Sequence, residues 1–197
     1  MTEGSVSGQE VSRARFVAGG LAAGGTALAA GSLLGASASD AQATRDVEAL
    51  QLLLVVEQTE AAFYRAALDR GGLSGELRTY AAQVARQEQE HLAFVRGALG
   101  AQARPAPRFE FAASTLGSGF AVAAAQLEDW AVAGYNGQAT NVSRDTLESA
   151  SKIVSVEARH AAWIRSIGGM PPAPDATDQP RTADQVLDGL ERLGLKR

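Results

Sequence analysis

The stretch Glu88-Gln89-Glu90-His91 recurs further along the chain as Glu157-Ala158-Arg159-His160. The chain has only two histidines, and both stand at the last position of this tetrapeptide. Agreement continues past the motif, pairing Ala93 with Ala162, Phe94 with Trp163, Val95 with Ile164, Arg96 with Arg165 and Gly100 with Gly169. A Glu and a His three residues apart share one face of a helix, so each copy offers a carboxylate and an imidazole to a common point. A doubled motif of this kind restricts the chain to folds built from two similar helical halves.

The surrounding periodicity supplies those halves. From about Ala43 to Arg70, apolar residues recur at helical spacing (Val47, Leu50, Leu53, Ala61, Tyr64, Leu68), and Glu57 interrupts the stripe where Leu would be expected. Gly71-Gly72 ends this helix and Ser74 is placed to cap the next. The second stripe runs Leu77, Tyr80, Val84, Glu88, His91, Val95, Leu99 and closes at Gly100. Residues 101–113 carry Pro105 and Pro107 and no helical period. A third stripe follows (Phe120, Ala124, Glu128, Val132, Tyr135), then a short polar link at Asn141 to Ser143. The fourth stripe reads Ala150, Ile153, Glu157, His160, Ile164, Ile167. Glu57 precedes Tyr64 by seven residues, as Glu128 precedes Tyr135. The order Glu, Tyr, Glu, His is therefore written once in each half.

In an antiparallel hairpin, residues equally far from the turn lie level. The midpoint of Glu57 and Glu88 falls between Gly72 and Leu73, and that of Glu128 and Glu157 between Val142 and Ser143, both at expected turns. Each hairpin thus brings its two glutamates to one height. The Pro-containing connection must then climb the bundle, roughly 16 Å back from Glu88 and roughly 20 Å on to Glu128 at ~1.5 Å per residue. About thirteen extended residues at ~3.1 Å each span ~40 Å, which suffices. The expected fold is an all-α four-helix bundle of two similar hairpins joined by a long crossover.

Four glutamates and two histidines, Glu57, Glu88, His91, Glu128, Glu157 and His160, then project into one core. Burying a carboxylate without compensation is costly, and no Lys or Arg falls on the inward stripes at that height. Two divalent cations would balance the four carboxylates, and imidazole with carboxylate suits iron, manganese or zinc. These residues point to a dinuclear metal site. Glu60 and Glu90 have no counterpart in the other half and read as edge or surface residues. Tyr64 and Tyr135 are either core aromatics with satisfied hydroxyls or groups beside the ligands able to relay an electron. Trp163 and Phe94 read as packing.

Net charge is −4 with acids and bases interspersed, so nothing suggests a nucleic-acid partner. The absence of cysteine excludes disulfides, thiolate metal sites and Cys nucleophiles. Before the bundle, residues 1–15 are polar and end in Ser12-Arg13-Ala14-Arg15, and an uncharged Gly/Ala-rich run extends to Ser39. Ala36-Ser37-Ala38 is an A-x-A-like cleavage site. Residues 1–38 are thus expected to be an export signal, with membrane attachment only if it stays uncleaved. This segment resembles a twin-arginine signal, departing from it at Ala14, where the second arginine belongs. Beyond Gly168, residues 169–197 form a Pro-rich tail in which Val186, Leu187, Leu190 and Leu193 share one side of a short amphipathic helix. Whether that helix docks on the bundle or on a neighbouring subunit of a homo-oligomer is left open.

Over residues 43–168 the chain resembles the ferritin-like di-iron carboxylate superfamily, which includes ferritins, bacterioferritins, rubrerythrins and manganese catalases. More narrowly, it resembles exported bacterial ferritin-like domain proteins. The doubled E-x-x-H with partner glutamates carries the resemblance. It implies that Glu57 and His91 serve one metal, that Glu128 and His160 serve the other, and that Glu88 and Glu157 bridge them. Tyr64 matches a tyrosine that bacterioferritins place near their site. No methionine lies on the four expected helices, so methionine-ligated haem is not expected. The implied activity is oxidation of Fe(II), or reduction of O2 or peroxide, at two metal ions, iron first and manganese as a variant. A non-catalytic metal-binding or iron-sequestering protein, or a stress-protective bundle, is the alternative.

Overall fold

The structure, a computed structural model, describes residues 38–197. The segment expected to carry the export signal lies, apart from Ala38, outside the described residues. Four long helices make up the bundle: α1 (Ala38–Arg70), α2 (Gly75–Leu99), α3 (Phe120–Gln138) and α4 (Arg144–Ile167). A short α5 (Ala183–Leu193) follows, and two-residue strands β1 (Arg108–Phe109) and β2 (Leu195–Lys196) complete the order. The chain is all-α in class. Among the described residues, no helix is long and apolar enough to cross a membrane.

α1 packs on α2, α3 on α4, α1 on α3 and α2 on α4. The helices therefore occupy the corners of a square, with α1 opposite α4 and α2 opposite α3. The turn between α1 and α2 uses Gly71 and Gly72 at φ of 74° and 94°, a region that costs a residue with a Cβ about 1–2 kcal/mol. Ser74 occupies the cap position of α2, but its side chain makes no capping bond. At α4 the cap is complete: Ser143 accepts from the Thr146 N–H, and Asp46 of α1 accepts from the Ser143 N–H at 2.7 Å. That carboxylate ties the α3–α4 turn to the start of α1.

Two boundaries differ from the sequence reading. α1 is already helical at Ala38, five residues before the expected Ala43. α3 starts at Phe120, the first residue of its apolar stripe but short of the start that the crossover estimate assumed, because residues 113–119 form consecutive turns. Helix α3 thus climbs only ~12 Å to Glu128 where ~20 Å was expected. The crossover is also held from outside. β1 pairs antiparallel with β2, Arg108 opposite Lys196 and Phe109 opposite Leu195, so the tail clamps the crossover.

The amphipathic tail helix docks on this chain's own bundle, against α3. Thr182 and Gln185 form a reciprocal capping box at its start, and Val186, Leu190 and Leu193 are buried. The core divides into two apolar clusters. One gathers around Phe63, Tyr64, Tyr80 and Phe120, the other around Leu53, Leu92, Tyr135 and Ile153. On α2 and α4 the motif residues lie between the two, so an acidic belt crosses an otherwise apolar interior.

Candidate metal centre

Each bundle helix contributes to the belt at the level set by its turn. Glu57, Glu88, Glu128 and Glu157 are all fully buried. The two histidines enter from diagonal-free neighbours α2 and α4, with ring centroids 6.1 Å apart. Both present Nδ1 to the carboxylates. His91 Nδ1 lies 3.2 Å from Glu88 Oε2, 2.7 Å from Glu157 Oε1 and 3.7 Å from Glu57 Oε2. His160 Nδ1 lies 3.2 Å from Glu157 Oε2, 3.1 Å from Glu88 Oε1 and 3.4 Å from Glu128 Oε2.

Glu88 and Glu157 therefore each direct one oxygen to each imidazole, whereas Glu57 and Glu128 each approach only one. Two overlapping groups result: Glu57, Glu88, His91 and Glu157, and Glu88, Glu128, Glu157 and His160. Within each group the ligand atoms lie within 4.8 Å of one another. The structure brings all six expected ligands together, with Glu88 and Glu157 common to both groups.

Hydrogen bonding fixes the outer oxygens and leaves the inner ones bare. Tyr135 donates to Glu57 Oε1 and Tyr64 donates to Glu128 Oε1. Each tyrosine serves the glutamate of the other hairpin, not the one on its own helix. Glu57 Oε2, Glu88 Oε1, Glu128 Oε2 and Glu157 Oε1 have no hydrogen-bond partner. The close approach of His91 Nδ1 to Glu157 Oε1 is out of line for a hydrogen bond, so proximity there is not satisfaction. A bare oxygen on each of four buried carboxylates fits a cation and fits little else. The donor set is that of iron, manganese or zinc.

Protonation follows the same logic. Burial disfavours imidazolium at His91, but contacts with Glu157 and Glu88 outweigh it and raise its pKa to about 10. At His160 burial is likewise overcome by Glu128, Glu157 and Glu88, raising the pKa to about 12. Burial raises Glu128 to about 7 against the lowering effect of His160, and burial with neighbouring Glu157 and Glu88 pushes Glu57 well up. Without a cation the cluster must hold protons to be tolerated.

Several neighbours escaped the sequence reading. Glu60, expected at an edge or surface, is fully buried, and neither of its carboxylate oxygens has a hydrogen-bond partner. It follows Glu57 by one helical step of three, so it shares the inward face, and that spacing was the available signal. Glu90 is exposed. Tyr80 reaches Glu128 Oε1 at 3.3 Å and lies 3.0 Å from the Tyr64 hydroxyl. Gln87 Oε1 sits 2.9 Å from His160 Nε2. An amide oxygen only accepts, so Nε2 carries hydrogen and Nδ1 is the nitrogen able to coordinate a metal once its proton leaves. Trp163 packs edge-on against Tyr80, centroids 5.1 Å apart, while Phe94 is 37% exposed and not a core residue.

An all-α bundle with a buried carboxylate–imidazole cluster at mid-height defines a class of metal-compatible helical proteins. The ferritin-like domain family matches residues 45–169, and the chain belongs to that family. No curated protein matches the chain.

Proposed function

We propose that the bundle holds two metal ions, iron first and manganese as the alternative, and uses them to oxidise Fe(II) or to reduce O2 or peroxide. The observation that carries this reading is the bare oxygen on each of Glu57, Glu88, Glu128 and Glu157, turned toward two imidazole nitrogens. Glu57 and His91 would hold one ion and Glu128 and His160 the other, with Glu88 and Glu157 offering an oxygen to each. Bound there, the metals supply two adjacent redox centres for electron transfer to O2 or peroxide.

The chain's own residues bind, orient and insulate. Tyr135 and Tyr64 lock the outer oxygens of Glu57 and Glu128, which aims the inner oxygens at the centre. The apolar clusters on either side keep water from the carboxylates, which strengthens every electrostatic contact inside. Tyr64 continues through Tyr80 to the partly exposed Trp163, a run of aromatic rings suited to passing single electrons. Tyr135 is assigned the same role at the Glu57 end. The basic residues before a Gly/Ala-rich run and an A-x-A site support a place of action outside the cytoplasm.

The test is anaerobic addition of Fe(II) to the purified full chain, followed by O2 or peroxide. Binding near two per chain, then ferric absorbance growing faster than in buffer, is the expected result. Binding without faster oxidation would leave a sequestering protein, and no binding would leave a purely structural bundle.

A further inference from the structure

The two halves of the chain are similar, and the contacts that hold the carboxylates and imidazoles in place differ between them in one direction. The position before each E-x-x-H is Gln87 in the first copy and Val156 in the second. Gln87 reaches across to the other hairpin and accepts from His160 Nε2 at 2.9 Å. The position that matches Gln87 in the other half is Val156, whose side chain has no acceptor to offer His91 Nε2. Among the described residues, none accepts from that nitrogen. His91 is also the more open of the two, with 12% of its side chain exposed against 4% for His160.

The carboxylates repeat the pattern. Glu128 Oε1 receives both Tyr64 and Tyr80. Glu57 Oε1 receives Tyr135 alone, because the residue matching Tyr80 in the other half is Ser149, whose hydroxyl bonds the Asp145 carbonyl of its own helix. Three held contacts therefore organise the Glu128/His160 pair, and one organises the Glu57/His91 pair.

Partners that hold a ligand in place typically change metal affinity by about 10- to 100-fold, because they fix the tautomer and the ring or carboxylate orientation before the ion arrives. We infer that the two metal positions are unequal: the Glu128/His160 position fills first and retains its ion, while the Glu57/His91 position fills second and exchanges with solvent. This rests on the dinuclear reading and adds the direction of metal traffic. The exchangeable ion enters and leaves past His91, and Gln87 is the positioning residue that makes its partner resident.

The chain's two histidines make the order directly observable. Zinc alone is added stepwise to the metal-free full chain while the imidazole ring resonances are followed by NMR and the isotherm by calorimetry. The first equivalent shifts His160 and the second shifts His91, with dissociation constants separated by about 10- to 100-fold. Gln87→Val weakens the first step toward the second. Val156→Gln, which supplies His91 with the missing acceptor, strengthens the second step and keeps the inference testable if Gln87→Val misfolds. Filling of both positions together, filling of His91 first, or two steps that neither variant moves would overturn the inference while leaving the dinuclear reading in place. Absence of zinc binding near two per chain would overturn both.

Discussion

Tyr64 of α1 donates its hydroxyl to Glu128 of α3, sixty-four positions away, and not to Glu57 on its own helix. Tyr135 returns the exchange by donating to Glu57. The hairpins are thus stitched together at the level of the acidic belt, by bonds whose loss leaves a buried carboxylate oxygen bare. Removing one partner of such a bond costs about 1–3 kcal/mol. The two losses should not be equal, since Tyr80 remains 3.3 Å from Glu128 Oε1 after Tyr64 is changed. Tyr135→Phe should therefore destabilise the metal-free protein more than Tyr64→Phe, as read by urea unfolding. Equal midpoints would show that Tyr80 contributes nothing to Glu128.

Stability of the metal-free protein should fall as pH rises. Glu128 has a folded pKa raised from 4.5 to about 7, so its contribution is full below 4.5 and lost as pH climbs through 7. His91, raised from 6.5 to about 10, acts with the same sign: its contribution is full below 6.5 and lost through 10. Bound metal has the opposite dependence, because it must displace those protons. The gap between metal-loaded and metal-free melting temperatures should widen steadily from mild acid to alkaline pH. Taking the difference cancels residues remote from the centre. A gap that is constant with pH would mean that the imidazoles and carboxylates do not release protons to the ion.

Glu60 is the carboxylate of the metal-free belt with both oxygens unpartnered. It is fully buried, and burial with the neighbouring Glu157 and Glu88 charges raises its pKa well above 4.5. A buried polar group without a partner costs about 1–3 kcal/mol, which a well-packed apolar side chain does not incur. Glu60→Leu should raise the urea midpoint of the metal-free protein at neutral pH while two zinc ions per chain are still bound. Loss of zinc in this variant would instead make Glu60 part of the ligand set.

The meeting of four carboxylates and two imidazoles was legible because it depends on quantities the chain carries locally: stripe periodicity, two turn midpoints and a repeated spacing. Glu60 was not, although it shares the face of Glu57, because comparison of halves carries no information about a residue whose counterpart is Ala131. Nor was the crossed pairing of Tyr64 and Tyr135, which arises from the lateral packing of α1 on α3. Gln87 and Tyr80 act across the bundle in the same way, and no spacing along their own helices announces it. The late start of α3 follows from backbone bonds within residues 112–120, where Gly119 donates to the Ser114 carbonyl at 2.9 Å. The sequence placed β1 in an unstructured connection because its partner strand lies at the far end of the chain.

The tail offers a test of how independent the centre is from its surroundings. Arg181 runs so close to α3 that a Cβ on Gly137 would stand 1.9 Å from its carbonyl oxygen, and the Arg181 N–H donates to the Ala133 carbonyl at 3.1 Å. Real Cβ atoms do not approach backbone oxygen so closely, and backbone cannot rotate aside as a long side chain can. Gly137→Ala should therefore lift the strand of chain that enters α5 while leaving the helical register of α3 intact, since Ala is the better helix former. Limited proteolysis should cut within residues 171–182 faster than in the parent protein. Zinc stoichiometry should stay at two, because none of the six ligands lies on the tail. A variant that loses zinc along with its tail would show that the clamp of β2 on β1 is needed to hold the crossover, and with it the height of Glu128.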